Sequence, residues 1–263
     1  MHILSIVIDI ILAGYVTWEV LRFGPQYRQL KQDIANGDSH ARTRVYQKAI
    51  VFEWVSALLA LLALGFDWSK LNPKSLAFEG TRWMQAWQGG GFDRGGFEWG
   101  GVAGVFIGLV LGTVAIVIAR IRSNRRGAPP ATAFLRKWRK LLPDFSALIP
   151  TTTQERLIWA AVAISAGICE EIVFRGWLLS TLHSALRLDG TALVLVAAVL
   201  FGLAHSYQGI TGMILTAFAG AVFCALYVAT GSLLASIALH ILIDLRFAVL
   251  PAPRTQNPRT IYA

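Results

Sequence analysis

Six ionisable side chains stand out among those that interrupt the apolar runs in the second half of this sequence. Glu170, Glu171 and Arg175 lie in Cys169-Glu170-Glu171-Ile172-Val173-Phe174-Arg175, His205 closes Phe201-Gly202-Leu203-Ala204-His205, and His240 and Asp244 bracket His240-Ile241-Leu242-Ile243-Asp244. In a bilayer-spanning helix each charged group near the centre costs at least about 2.5–3.5 kcal/mol, so such a group reads as functional unless it is paired. Glu171 and Arg175, four residues apart, share a helix face and can neutralise each other. Glu170 is turned about 100° away from Glu171 and has no partner nearby in sequence. His240 and Asp244 also share a face, so the carboxylate can orient the imidazole or both can point at one guest. A lone histidine in an apolar helix is more often a packing residue, but three such clusters on three helices weigh the other way. Carboxylate and imidazole together handle protons, either in general acid–base catalysis or in a proton relay.

The elements that carry these residues follow from composition. Of 263 residues, 55% are hydrophobic and 15% charged, and the mean hydropathy is +0.55. A soluble globular domain carries about 25% charged residues, so that class is excluded, as is disorder. Two cysteines, Cys169 and Cys224, cannot make a disulfide framework and read as small packing residues. A spanning helix needs about 20 mostly apolar residues, and seven stretches qualify or nearly do: about 3–21, 49–66, 100–119, 157–186, 191–208, 210–230 and 232–250. The predicted fold class is therefore all-α, a polytopic membrane helix bundle of about seven transmembrane helices. The first stretch has no preceding Lys or Arg and no A-x-A-like cleavage site, so it reads as a retained helix, with one of Asp9 and Glu19 facing the bundle and the other reaching the interface.

The formal charge of +9 is distributed between the apolar runs. Segment 22–48 holds Arg22, Arg28, Lys31, Arg42, Arg44 and Lys48 against Asp33 and Asp38; segment 120–156 is more basic still; segment 67–99 balances its charges. Basic loops of this kind face an anionic cytoplasmic leaflet, so the partner they imply is the lipid bilayer and no nucleic acid. The rule places the N-terminus outside, loops 22–48 and 120–156 inside, and the C-terminal tail with Arg254 and Arg259 inside, in the plasma (inner) membrane. Within the outer loop, residues 83–99 mix glycine with Trp83, Trp87, Phe92, Phe97 and Trp99, which read as interfacial anchors. Gly100, Gly104, Gly108 and Gly112 give the third helix a smooth face for close helix packing. On depth alone, Glu170 lies roughly 25 Å and His205 roughly 22–24 Å inward from the turn at Arg187 to Gly190, and His240 about 9 Å from the inner end, so all three can meet in the cytoplasmic half of a core about 30 Å thick.

Glu170-Glu171-x-x-x-Arg175, Phe201-x-x-x-His205 and His240-x-x-x-Asp244, in that order on successive membrane helices, resemble the motif set of the CPBP family, the CAAX proteases and bacteriocin-processing enzymes. The resemblance covers about residues 155–250 and includes Thr230-Gly231-Ser232 before the last helix. It implies a division into residues 1–150, N-terminal helices and basic cytoplasmic loops; residues 151–250, a catalytic four-helix core; and residues 251–263, a cytoplasmic tail. It further implies a glutamate-type intramembrane endopeptidase acting on a membrane-associated protein or peptide. Glu170 would activate water, His205 would hold the same water, and His240 and Asp244 would stabilise or orient around the oxyanion. Glu171, Arg175 and Phe201 would be structural support. No cofactor is required by this scheme. Family members that cleave prenylated proteins resemble His-x-x-x-Asn at the last motif, where this chain has Asp244. Asparagine can donate a hydrogen bond to an oxyanion and an ionised aspartate cannot, so Asp244 is expected to orient His240 or to bind a metal. A divalent metal such as zinc, if present, would take Glu170, His205, His240 and Asp244, although the sequence has no H-E-x-x-H.

Two other classes share these residues. A proton- or ion-coupled membrane transporter also uses buried Glu and His, but the sequence shows no pair of Gly/Pro-broken helices in matching halves. A non-catalytic immunity or assembly factor could keep the fold while binding a partner.

Overall fold

The computed structural model describes residues 2–64, 146–188 and 190–249. These form α1 (His2–Ala35), α2 (Ala41–Ala63), a short 3-10 turn at Ser146–Leu148, α3 (Thr153–Glu171), a π-helical stretch (Ile172–Leu178), α4 (Leu179–Leu186), α5 (Gly190–Ala204), a second 3-10 turn (Ser206–Gln208), α6 (Gly209–Thr230) and α7 (Leu233–Val249). Because α3, the π stretch and α4 run on as one rod, the described residues make six helical rods and no strand. The expected third helix at 100–119, the outer loop 83–99, most of the basic segment 120–156 and the tail 251–263 lie outside the described residues.

By length and composition, three described segments can cross a membrane: Ala41–Ala63, Thr153–Leu186 and Ser206–Val228; Gly190–Ala204 is apolar but shorter. Large apolar side chains cover the outside of the bundle, with Ile10, Leu157 and Ile210 about 67–73% exposed. Such a surface is stable against lipid and not against water. The molecule is an integral membrane protein.

Segment 22–48 is mostly helix and not the expected loop. α1 continues through Pro25 to Ala35, and at about 1.5 Å per residue its 34 residues extend roughly 51 Å, well past a bilayer core. It stops at Asn36-Gly37, where Gly37 takes the left-handed φ of +87° that glycine adopts without strain. Asp38 then accepts from the His40 backbone N–H at 2.9 Å, and the Arg44 guanidinium holds its carboxyl below the usual carboxylate range. The basic residues of this segment thus sit on helix ends joined by a tight turn.

α3 begins four residues before the expected start at 157, because Thr152 and Glu155 form a reciprocal capping box. Three polar contacts fasten α2 to this region: Arg42 Nε donates to the Ala147 carbonyl at 2.9 Å, the Tyr46 hydroxyl to the Leu148 carbonyl at 2.7 Å, and Trp54 Nε1 to Ser165 Oγ at 3.1 Å. Asp9 on α1 is the acid that faces the bundle, accepting from Trp177 Nε1 at 2.6 Å.

Two glycines set the helix spacing around the site. A Cβ at Gly167 would overlap the Ile241 side chain and stand 3.1 Å from its backbone nitrogen, so α3 and α7 touch backbone to backbone. A Cβ at Gly202 would lie 2.6 Å from the Met213 carbonyl oxygen, which brings α5 equally close to α6.

Candidate active site

Glu170 and Glu171 end the α-helical part of α3, and the chain then widens into the π stretch. Such insertions recur at functional positions because they re-aim side chains along an otherwise regular helix. Here Arg175, inside the π stretch, still reaches back to Glu171, with Nη1 2.9 Å from Oε1 and both side chains fully buried. Its Nη2 donates to the Gly220 carbonyl on α6 at 3.1 Å, and its guanidinium lies 4.4 Å from the Phe201 ring centroid and 5.0 Å from that of Phe223. The aromatic faces shield a cation that already has its carboxylate.

The same Glu171 oxygen has a second partner. His240 on α7 places Nδ1 2.8 Å from Glu171 Oε1, with its ring stacked on Phe223 at 4.9 Å. A carboxylate oxygen only accepts, so Nδ1 carries the proton and Nε2 faces the cavity. His205, at the end of α5, is fixed in a parallel manner: Nδ1 lies 2.8 Å from the Phe201 carbonyl, which assigns it the proton and leaves the Nε2 lone pair free in a neutral ring.

Both free nitrogens converge on Glu170. Its Oε2 lies 3.8 Å from His205 Nε2 and 3.8 Å from His240 Nε2, and it has no direct hydrogen-bond partner among the described residues. Asp244 Oδ2 stands 3.7 Å from His240 Nε2, while its backbone carbonyl accepts from Trp159 Nε1 at 3.0 Å. These separations are too long for direct hydrogen bonds and short enough for one bridging molecule. Glu170, His205, His240 and Asp244 all line one cavity of about 1090 Å³ that opens between α1, α2 and the remaining helices. Phe201 is buried beneath it between Arg175 and His205. The structure thus brings the four named side chains together, while Glu171 and Arg175 lie one layer behind.

The metal alternative named Glu170, His205, His240 and Asp244 as ligands. Among the described residues, no three His, Cys, Asp or Glu side chains are disposed to hold a metal ion.

With this geometry in place, comparison with known families bears on the site directly. Residues 152–246 match the family described as type II CAAX prenyl endopeptidase Rce1-like. The Rce1-like match begins at the Thr152 cap of α3 and ends just past Asp244, so it contains every residue of the cluster and leaves α1 and α2 outside. The Rce1-like family is one of peptidases, and in a helical membrane protein it supports CAAX-type intramembrane proteolysis as the general activity, with a peptide substrate and the lipid bilayer as partners. No curated protein and no solved structure matches the chain.

Two features escaped the reading of motifs. Glu53 and Ser56 on α2 also line the cavity and are buried. Glu53 was visible as a lone acid in the run Val51-Phe52-Glu53-Trp54-Val55, the same signal that singles out Glu170. The second role of Glu171, as the partner of His240, had no local signal, because the two are 69 positions apart.

Proposed function

We propose that this protein hydrolyses a peptide bond of a membrane-associated protein or peptide, with Glu170 as the base that activates water. The observation that carries the reading is the placement of Glu170 Oε2 at 3.8 Å from the Nε2 atoms of both His205 and His240. A water in that space donates one proton toward Glu170 and the other toward the His205 Nε2 lone pair, which turns its own lone pairs outward to the substrate carbonyl. As the new C–O bond forms, the water proton passes to Glu170 and the carbonyl oxygen becomes an oxyanion. With its ring in the imidazolium form, His240 donates Nδ1–H to Glu171 and Nε2–H to that oxyanion, and Glu171 is in turn held by Arg175. Glu170 then returns the proton to the amide nitrogen, the C–N bond breaks, and a carboxylic acid and an amine leave.

Asp244 faces His240 Nε2 and not Nδ1, so in this scheme it supports the charge of the ring and does not select the tautomer. The catalytic unit is residues 151–250; residues 1–150 are the N-terminal unit, whose α1 and α2 line the cavity and whose basic segments face the cytoplasm, with the N-terminus outside the plasma membrane and the C-terminus in the cytoplasm. The test is a comparison of membrane-protein cleavage products in cells carrying wild type or Glu170→Ala. The reading expects products present only with wild type, and identical product sets would overturn it.

A further inference from the structure

On α2, outside the matched residues 152–246, Glu53 is 7% exposed and Ser56 3% exposed. They lie three residues apart on one helix face. Glu53 Oε2 and Ser56 Oγ are both buried without a hydrogen-bond partner among the described residues, and both residues line the cavity that holds Glu170 and Asp244. The water-activating cluster makes no use of either α2 side chain.

Among the described residues, the cations around the cavity are paired or turned elsewhere. Arg175 is held by Glu171 and the Gly220 carbonyl. Arg22 pairs with Glu19 and Arg44 with Asp33 and Asp38. Arg246 lies over the Phe247 ring at 4.4 Å from its centroid. Lys48 is exposed and, five positions before Glu53 on the same helix, is turned about 140° away from it. A carboxylate can only accept hydrogen bonds, and burying one without a cation or donor is costly. Among the described residues nothing fills that place, and a basic side chain arriving with the guest would.

We propose that Glu53, assisted by Ser56, is a specificity subsite that receives a lysine or arginine side chain of the substrate beside the scissile bond. This rests on the protease reading above. An ammonium or guanidinium there neutralises Glu53, donates to Ser56 Oγ, and anchors the peptide across the cavity from Glu170, so that the scissile carbonyl is presented to the activated water.

The experiment maps new protein termini in membranes of cells expressing the full-length chain as wild type, Glu53→Gln, Glu53→Asp, Ser56→Ala or Glu170→Ala, each at matched abundance and with thermal stability checked in detergent. The sites that depend on Glu170 define the cleavage set. Glu53→Gln should lower cleavage at sites flanked by lysine or arginine by about tenfold relative to sites without one, Ser56→Ala should act more weakly in the same direction, and Glu53→Asp should keep the preference. An equal loss at all sites would place Glu53 in proton handling and overturn the proposal, as would an unchanged product set or a cleavage set without basic residues. Identical products from wild type and Glu170→Ala would instead remove the protease reading, and this subsite with it.

Discussion

The Nδ1 atom of His240 and the Nη1 atom of Arg175 meet the same oxygen, Oε1 of Glu171, at 2.8 and 2.9 Å. A single buried carboxylate therefore fixes both the cation behind the site and the imidazole in front of it. The arrangement holds together only as a set, because each member would be an uncompensated buried polar group without the others.

Removing that carboxylate should damage fold and activity together. Glu171→Ala strands the buried Arg175 charge and frees His240, and we expect a loss of about 3–5 kcal/mol in stability. Thermal unfolding in detergent measures it; a change below about 1 kcal/mol would show that the network is not a structural unit.

Asp244→Asn should be far milder. The His240 tautomer is set at Nδ1 by Glu171, and the Asp244 carboxylate stands 3.7 Å from the other nitrogen, so the amide keeps shape and adds a donor near the oxyanion. Cleavage rates should fall by about tenfold or less, and a chelator should not change them. Loss of activity on the scale of Glu170→Gln, together with chelator sensitivity, would point to metal ligation.

Gly167→Ala tests the helix contact that brings the motifs together. The added methyl overlaps Ile241 and presses on its backbone, so α3 and α7 must separate, at a cost of about 1–3 kcal/mol. Activity should fall with stability, since Glu171 and His240 lie on these two helices. Wild-type melting and cleavage would contradict the close approach.

How much of this was legible in the sequence follows from which interactions are local. Apolar run lengths located the helices that carry the motifs, and the four-residue spacing paired Glu171 with Arg175. Helix ends were less legible: α1 runs through Pro25 to Ala35 because the charged residues that suggested a loop sit on a helix reaching past the bilayer, and α3 starts at Thr153 because of a capping box at Thr152 and Glu155. The π stretch leaves no mark on apolar periodicity. The bond from Glu171 to His240 is a tertiary contact that becomes visible only once Gly167 lets α3 meet α7. Glu53 was legible by the rule applied to Glu170, but its meaning depends on which cavity it faces.

The N-cap offers a local check on the fold alone. Thr152→Ala removes the side-chain acceptor of the Glu155 N–H and should cost about 1 kcal/mol while leaving the cavity chemistry intact. A large loss of cleavage without loss of stability would show that the cap shapes the site.

The central claim is that the Glu170 carboxylate accepts the water proton, and the most direct measurement is the cleavage rate of purified, bilayer-reconstituted Glu170→Gln against wild type. The substitution keeps size and polarity and removes the base, so the account predicts a melting temperature close to wild type and a rate lowered by about 10²–10⁴-fold; full activity of Glu170→Gln would contradict it.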